Sequence, residues 1–533
     1  MDVAMNTVIR AKKNPAANCA LRSAVGGMLE SSQVSRRGFV AAAAGAGALL
    51  SFGRFSSRAY GASLADDFIT RSATQVAKLI RDKEITAVQA VKLYYARIDA
   101  VNPKLNAVVA FCRERALAEA EEADALLAQG KSKGPLHGVP FTAKDSFDTA
   151  GVVSTGGTLG RKDYMPGRDA TIVARVRAAG AILLGKTNTP EFTLGGGGRG
   201  TVNLVYGLTK NPYNVNYQPS GSSGGAGAIV AACGSAFDLG SDYGGSIRGP
   251  AFANGIAGIK PTLGRSPRTG HIVGYGGAFD SFQETGPLAR RVEDLALLLP
   301  IISGPDNSDA MMAPVPLGDP ASVDVKSLRV AYYTNNGAVD ATAEMRDIVK
   351  KCVGYFSKLG CKITADKPPK MAELAEIRRK FNGADGREHI RRLLKKHGTT
   401  QASPGLQLDG DVVSSGEFTA LCEQMDAIKS EQLAWFEKYD LIVCPGSQRA
   451  PIPLDYEPPE GREAARLGSF TSQYNTTGWP AGVVRAGTST TDAPGLPLGI
   501  QVVAQPWRDD VVIAALAYIE KQTGGWQMPG IGG

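Results

Sequence analysis

An α/β architecture, a β-sheet covered by helices on both faces, is what this sequence predicts, and three observations lead there. Short apolar runs suited to burial on both faces, such as "AILL" at 181–184 and "PLGIQVVAQ" at 497–505, alternate with segments whose apolar residues recur at helical spacing. Glycines and prolines punctuate the junctions and follow no three-residue period. With 533 residues, 43% of them hydrophobic and 21% charged, the chain can build one large core or two domains and is neither disordered nor collagenous.

Taken in order, the stretch Asp66–Gln129 repeats apolar residues at helical spacing, with Asn102-Pro103 dividing one helix from the next, and predicts an outer helical layer over 64–130. "GPLHGVPFTAKDSF" then predicts a short buried strand ending near Lys144. "DATIVARVRAAGAILLGKTNTPE" predicts a helix, a glycine stop at Gly180 and a buried strand Ala181–Leu184. Residues 195–225, rich in glycine, asparagine and proline, predict a long loop, and such loops inside compact domains are commonly functional. A small-residue helix from Ala226 to Ala232, a strand in "AFDLGSD" and a turn at "GGS" follow. Leu328–Tyr333, "YDLIVCP" at 439–445 and 497–505 supply further strands, and 371–438 reads as a charged helical region without recognisable chemistry.

The net charge of +8 suggests an acidic partner until it is mapped. Residues 1–61 hold Arg10, Lys12, Lys13, Arg22, Arg36, Arg37, Arg54 and Arg58 against Asp2 and Glu30, so the rest of the chain carries only +2. Nucleic-acid binding through a basic patch loses its support. Arg36-Arg37, Phe39 and the Ala/Gly/Leu run after them resemble a twin-arginine export signal, with Ala59-Tyr60-Gly61 as a small-residue cleavage site. The run is about half of the roughly 20 residues a membrane span needs. The expectation is a protein exported folded to the periplasm or medium, without stable membrane insertion. Cys112, Cys233, Cys352, Cys361, Cys422 and Cys444 show no C-x-x-C spacing and are expected as buried thiols.

Two motifs mislead. "GAILLGKT" at 180–187 fits the phosphate-loop pattern, but its interior residues belong in a sheet and the residues before Gly180 are helical, the reverse of the context that pattern requires. "GSSGG" at 221–225 fits a nucleophile elbow centred on Ser223, yet His271, His389 and His397 sit in no evident motif. A third constellation needs no histidine. Ser246 lies in "GSDYGGSIRG", Ser222 in "PSGSSGGAGA", and Lys144 ends a buried strand. Burial disfavours an ammonium, so a desolvated lysine can serve as a base, and Ser-Lys pairs are established alternatives to the histidine triad. A salt bridge from Lys144 to Asp145 and helix capping by Ser222 are the ordinary structural roles for these residues.

The segments "GPLHGVPFTAKDSF", "LLGKTNTPEF", "YGLTKNP", "SGSSGGAGA", "GSDYGGSIRGPA", "GIAGIKPTLGR", "GPLARRVEDLALLL" and "LPLGIQVV" resemble, in order, those of the amidase signature family. One departure is Ser220, where the family usually has glycine. The resemblance implies a large twisted mixed sheet, one amidase domain over 62–533 with a catalytic core at 131–330 and a variable substrate-shaping region at 371–480, and no cofactor or metal. It implies Ser246 as nucleophile, Ser222 as a bridging serine after a cis peptide bond, and Lys144 as base. The N–H groups of Tyr243, Gly244, Gly245 and Ser246 would form an oxyanion hole, with Gly196 also at the substrate. Asp242 and Arg248 read as scaffold for the turn.

The function so implied is hydrolysis of a small-molecule amide through an acyl-enzyme. Two rivals are the amidase component of a tRNA-linked amidotransferase and a non-catalytic binding protein on the same scaffold; a homodimer is left open. "TGWPAGVVRAGTSTTDAPGLPLGIQVVAQPWRDD" resembles the branch of fatty-acid-amide and cyclic-amide hydrolases, which implies uncharged acyl or aryl amides. Trp435, Phe436, Phe470, Tyr474 and Trp479 offer aromatic material for an acyl pocket, although any one of them is more commonly core.

Overall fold

A computed structural model describes residues 67–194, 200–456 and 469–531. The expected export signal, Gly196 and part of the expected loop therefore lie outside the described residues. The first helices, Ala73–Arg81 and Ala87–Leu105, each begin with a capping box, Ser72 with Gln75 and Thr86 with Gln89, which satisfies N–H groups that a helix start leaves open. Pro103 does not divide two helices as expected. It sits in the last turn of Ala87–Leu105, and the chain leaves the helix at Asn106 in the left-handed region. The Asn102 side chain accepts the N–H groups of Ala107 and Val108, both at 2.8 Å, and so starts the next strand.

Strands β1 (Val108–Phe111), β2 (Pro140–Lys144) and β3 (Ile182–Thr187) are followed by a small hairpin of β4 (Val202–Asn203) and β5 (Gly207–Leu208). Then come β6 (Phe237–Asp242), β7 (Ala257–Lys260), β8 (Glu284–Ala289), β9 (Arg329–Tyr332) and β10 (Lys362–Ala365). The last are β11 (Leu441–Pro445), β12 (Ala481–Thr488) and β13 (Pro497–Ala504). All but β4 and β5 join one 11-stranded sheet in the order β1-β3-β2-β6-β8-β7-β12-β13-β11-β9-β10. It is mixed: β3-β2-β6 and β11-β9-β10 run parallel, and the pairs from β6 through β8, β7, β12 and β13 to β11 are antiparallel.

Successive residues of a strand face opposite sides, and β12 shows what each side meets. A Cβ on Gly482 would meet Leu516 and Val512 of helix Asp509–Thr523, whereas Val483 shares the other side with Phe252 of helix Arg248–Ala253. Every residue of β2, β3, β6, β7, β8, β11 and β13 is buried, as a doubly covered sheet requires. Among the described residues no helix is long and apolar enough to cross a membrane.

The "GAILLGKT" motif is sheet, not loop. Its Lys186 is buried in β3 and donates to the Phe147 carbonyl and, at 2.7 Å, to Thr149 Oγ1. None of the six cysteines from Cys112 onward is disulfide-bonded, and Cys112 and Cys422 are half-buried, not buried.

Candidate active site

Parallel pairing of β2 with β6 brings Lys144, the last residue of β2, beside the carboxyl end of β6, where Ser241 and Asp242 lie. Carboxyl ends of parallel strands are where open α/β sheets leave a crevice between their connecting turns. Lys144 is completely buried, and its Nζ lies 2.7 Å from Ser222 Oγ and 2.9 Å from Ser241 Oγ. Burial disfavours its ammonium and brings the pKa down to about 7 against the pull of Asp242 and Asp238. No carboxylate touches Nζ among the described residues. Asp145 instead accepts the Thr155 N–H at 3.1 Å, so the salt bridge that adjacency suggests does not form.

Ser222 follows a cis peptide bond from Gly221. The N–H of Ser223 donates to the Ser246 carbonyl at 3.1 Å and ties the Ser222 loop to the turn carrying Ser246. Among the described residues the Ser246 hydroxyl has no hydrogen-bond partner, and catalytic hydrogen bonds are commonly long before substrate closes a site. Ser220 adopts φ +63°, so the residue standing where glycine is usual occupies a conformation that favours glycine. Ser223 is completely buried and donates to the Ser241 carbonyl at 3.4 Å, which leaves no exposed elbow nucleophile.

From β6 the chain turns through Tyr243–Ser246 into helix Arg248–Ala253, around the Asp242 carboxylate. Asp242 accepts the N–H groups of Gly245 at 2.7 Å and Ile247 at 3.0 Å, and pairs with the equally buried Arg248 at 3.0 Å. Burial opposes its charge, but Arg248 and these hydrogen bonds hold the carboxyl far below the usual range. One oxyanion assignment is thereby corrected: the Gly245 N–H is committed to Asp242. The N–H groups of Tyr243, Gly244 and Ser246 have no partner among the described residues.

The second glycine has a packing reason. Gly245 has φ +128° and its Cβ would collide with Thr471 Oγ1, whereas a Cβ on Gly244 meets nothing nearer than 3.9 Å. A protein wall, not an approaching substrate, excludes side chains at Gly245. Beside the turn opens a cavity of about 750 Å³. Leu194, Tyr243, Phe279, Met371, Ile390 and Leu406 are among its walls.

A family model described as Amidase matches residues 89–513. The chain belongs to the Amidase family. It is 33% identical to human fatty-acid amide hydrolase 2 over 493 residues, covering 86% of this chain and 90% of that protein. It is also 31% identical to a glutamyl-tRNA(Gln) amidotransferase component from Moorella thermoacetica, over 85% of this chain and 96% of that one. The solved structure of 6-aminohexanoate cyclic dimer hydrolase with substrate matches with a TM-score of 0.76 and 28% identity, over 87% of this chain and 100% of that one. The fold is the mixed-sheet fold of these amide hydrolases.

Several groups of the amidase's site escape sequence reasoning. His271, which stands in no evident motif, is buried with its Nε2 3.0 Å from Ser241 Oγ. Burial, then Lys144 and Arg268, push its pKa well below the usual value, which favours the neutral ring. Arg378 donates to the Tyr243 carbonyl, Thr471 Oγ1 to the Gly244 carbonyl at 2.7 Å, and Asn475 to Asp242 Oδ1 at 2.9 Å. These three residues lie more than a hundred positions from the turn and carry no local signal. Trp435, Phe436, Phe470, Tyr474 and Trp479 all take the commoner role, buried in the core, and none lines the cavity. Among the described residues the aromatic rings that do are those of Tyr243, Tyr275, Phe279 and His389.

Proposed function

We propose that this amidase hydrolyses its substrate through an acyl-enzyme, with Ser246 as nucleophile, Ser222 as proton bridge and Lys144 as base. The observation that carries this is the buried Lys144 Nζ, 2.7 Å from Ser222 Oγ and, among the described residues, without a carboxylate partner. A neutral amine has one lone pair and two N–H bonds. Donation of one N–H to Ser241, whose hydroxyl can donate onward to His271 Nε2, leaves the lone pair for the Ser222 proton. Ser222 in turn takes the proton of Ser246 as Oγ attacks the amide carbon. The N–H groups of Gly244 and Ser246, and Tyr243 beside them, stabilise the developing oxyanion. The proton then passes to the leaving amine, and water releases the acid by the same relay.

The apolar wall of the cavity suits an acyl or aryl chain. The tRNA-amidotransferase reading draws on the relatives bearing that name. It requires glutamine turnover and co-purifying partner proteins. We further read Arg36-Arg37 and the apolar run after them as an export signal, hence a periplasmic or secreted protein. Intact-mass spectrometry during turnover of an anilide tests the chemistry: an adduct of the acyl mass on wild type, mapped to Ser246, is expected, and its absence under burst conditions refutes the covalent route.

A further inference from the structure

The cavity that Tyr243 and Gly244 line carries an excess of cationic walls. Of its ionisable walls Arg378, Arg379, Arg387, Arg392 and Lys396 are cationic, and Asp280 is the one carboxylate among the described residues. Asp280 is already paired with Arg268 at 3.1 Å, and Arg379 is neutralised by Glu376 at 2.7 Å. Arg378 and Arg387 are different. Among the described residues buried Arg378 bonds only neutral acceptors, the Ser472 carbonyl at 2.7 Å, Thr476 Oγ1 at 2.8 Å and the Tyr243 carbonyl. Arg387 donates Nη1 to the Asn382 carbonyl at 2.7 Å, and its Nε is buried without a partner. Asp385, near Arg387, is occupied by the N–H of His389 at 2.8 Å and its Nδ1 at 2.9 Å. The Arg378 guanidinium lies over the Tyr243 ring, 5.0 Å from its centroid, and the Tyr243 phenol donates at 2.9 Å to Oδ1 of Asn382, the residue whose carbonyl holds Arg387, so both cations line the cavity around Tyr243.

Guanidinium groups drawn out of water, with no carboxylate in hydrogen-bond contact among the described residues, are costly, and their fork geometry matches a carboxylate. We propose that this part of the cavity receives a carboxylate of the substrate: the amidase acts on amides whose acyl or amine portion carries an anionic group, held by Arg378 and Arg387. The inference rests on amide hydrolysis at Ser246 and replaces the expectation of an uncharged substrate. The apolar wall then holds the atoms between the carboxylate and the scissile bond.

The test uses purified protein and the monoanilides of succinic and adipic acid beside anilides of like length that end in methyl. One of the acids is expected to exceed its methyl counterpart by roughly tenfold or more in kcat/KM, chiefly through KM. Arg387→Gln should bring that ratio toward one, and Arg387→Lys, which keeps the charge, should retain part of it. Calorimetric binding to Ser246→Ala reads the same preference without turnover and checks that the variant is folded. Equal handling of acid and methyl anilides, or an equal loss on both in Arg387→Gln, overturns the proposal. If binding favours the acids while no anilide is ever cleaved, the carboxylate site stands and the hydrolytic reading fails.

Discussion

The Nζ of Lys144 and the Oγ of Ser222 face each other at 2.7 Å across 78 residues of sequence, in an interior where no carboxylate among the described residues touches the lysine. A charged lysine there would be desolvated, with only the more distant pull of Asp242 and Asp238 to offset the cost. The pair is therefore set up for a neutral amine and a hydroxyl whose proton it can take.

Ser246→Ala and Lys144→Ala should each lower kcat by at least about a thousandfold, because one removes the attacking oxygen and the other leaves neither serine activated. Circular dichroism should show both folded. Residual activity within tenfold of wild type in a Ser246→Ala preparation free of wild-type enzyme would overturn the assignment.

The rate should fall on the acid side with an apparent pKa near 7, as Lys144 becomes protonated. Stability has its own sign. With a folded pKa of about 7 against an unfolded value of 10.5, the unfolded chain binds the extra proton between those limits, so folding gains stability as pH rises through that window. Wild type should thus gain Tm relative to Lys144→Met between pH 7 and pH 10. A constant difference would mean that the lysine is charged in the fold.

Arg248→Met should leave the buried Asp242 carboxylate without its guanidinium, at a cost of about 3–5 kcal/mol of stability by chemical denaturation. Turnover should fall with it, since Asp242 holds the N–H groups on both sides of Ser246. A loss below about 1 kcal/mol would show that the pair is dispensable.

Gly245→Ala and Gly244→Ala should separate. At Gly245 both the positive φ and the contact with Thr471 Oγ1 forbid a side chain, and the variant should be unstable or inactive. Gly244→Ala has space and should fold with a near-native melting curve, its effect appearing in KM or kcat alone. Identical melting curves for the two would contradict the turn geometry.

Replacing Arg36-Arg37 with Lys-Lys should stop export, judged by fractionation of producing cells, and the mature protein should begin near Ala62. An intact amino terminus in the cytoplasm of wild-type cells would refute the export reading.

Local features are legible in the chain alone. Buried strands announce themselves as short, largely apolar runs in β11 and β13, while β2 and β6 start on apolar residues and end on the polar residues Lys144, Ser241 and Asp242. Lys144, Ser222 and Ser246 stand in short motifs, because the chain immediately around each must form a particular strand end or turn. Edge strands leave weaker traces: β10 is mostly exposed and β1 only part-buried, so neither needs a continuous apolar run. Contacts between residues distant in sequence required the assembled sheet. Thr471, Asn475 and Arg378 reach the turn at Tyr243–Ser246 from elsewhere in the chain, and His271 reaches Ser241. Packing also settled that Trp479 is core and that Arg387 lines a cavity, since a side chain's apolarity says that it favours burial but not against what. Hydrogen bonds and ion pairs are directional and short-ranged, so their partners exist only once the strands are in register.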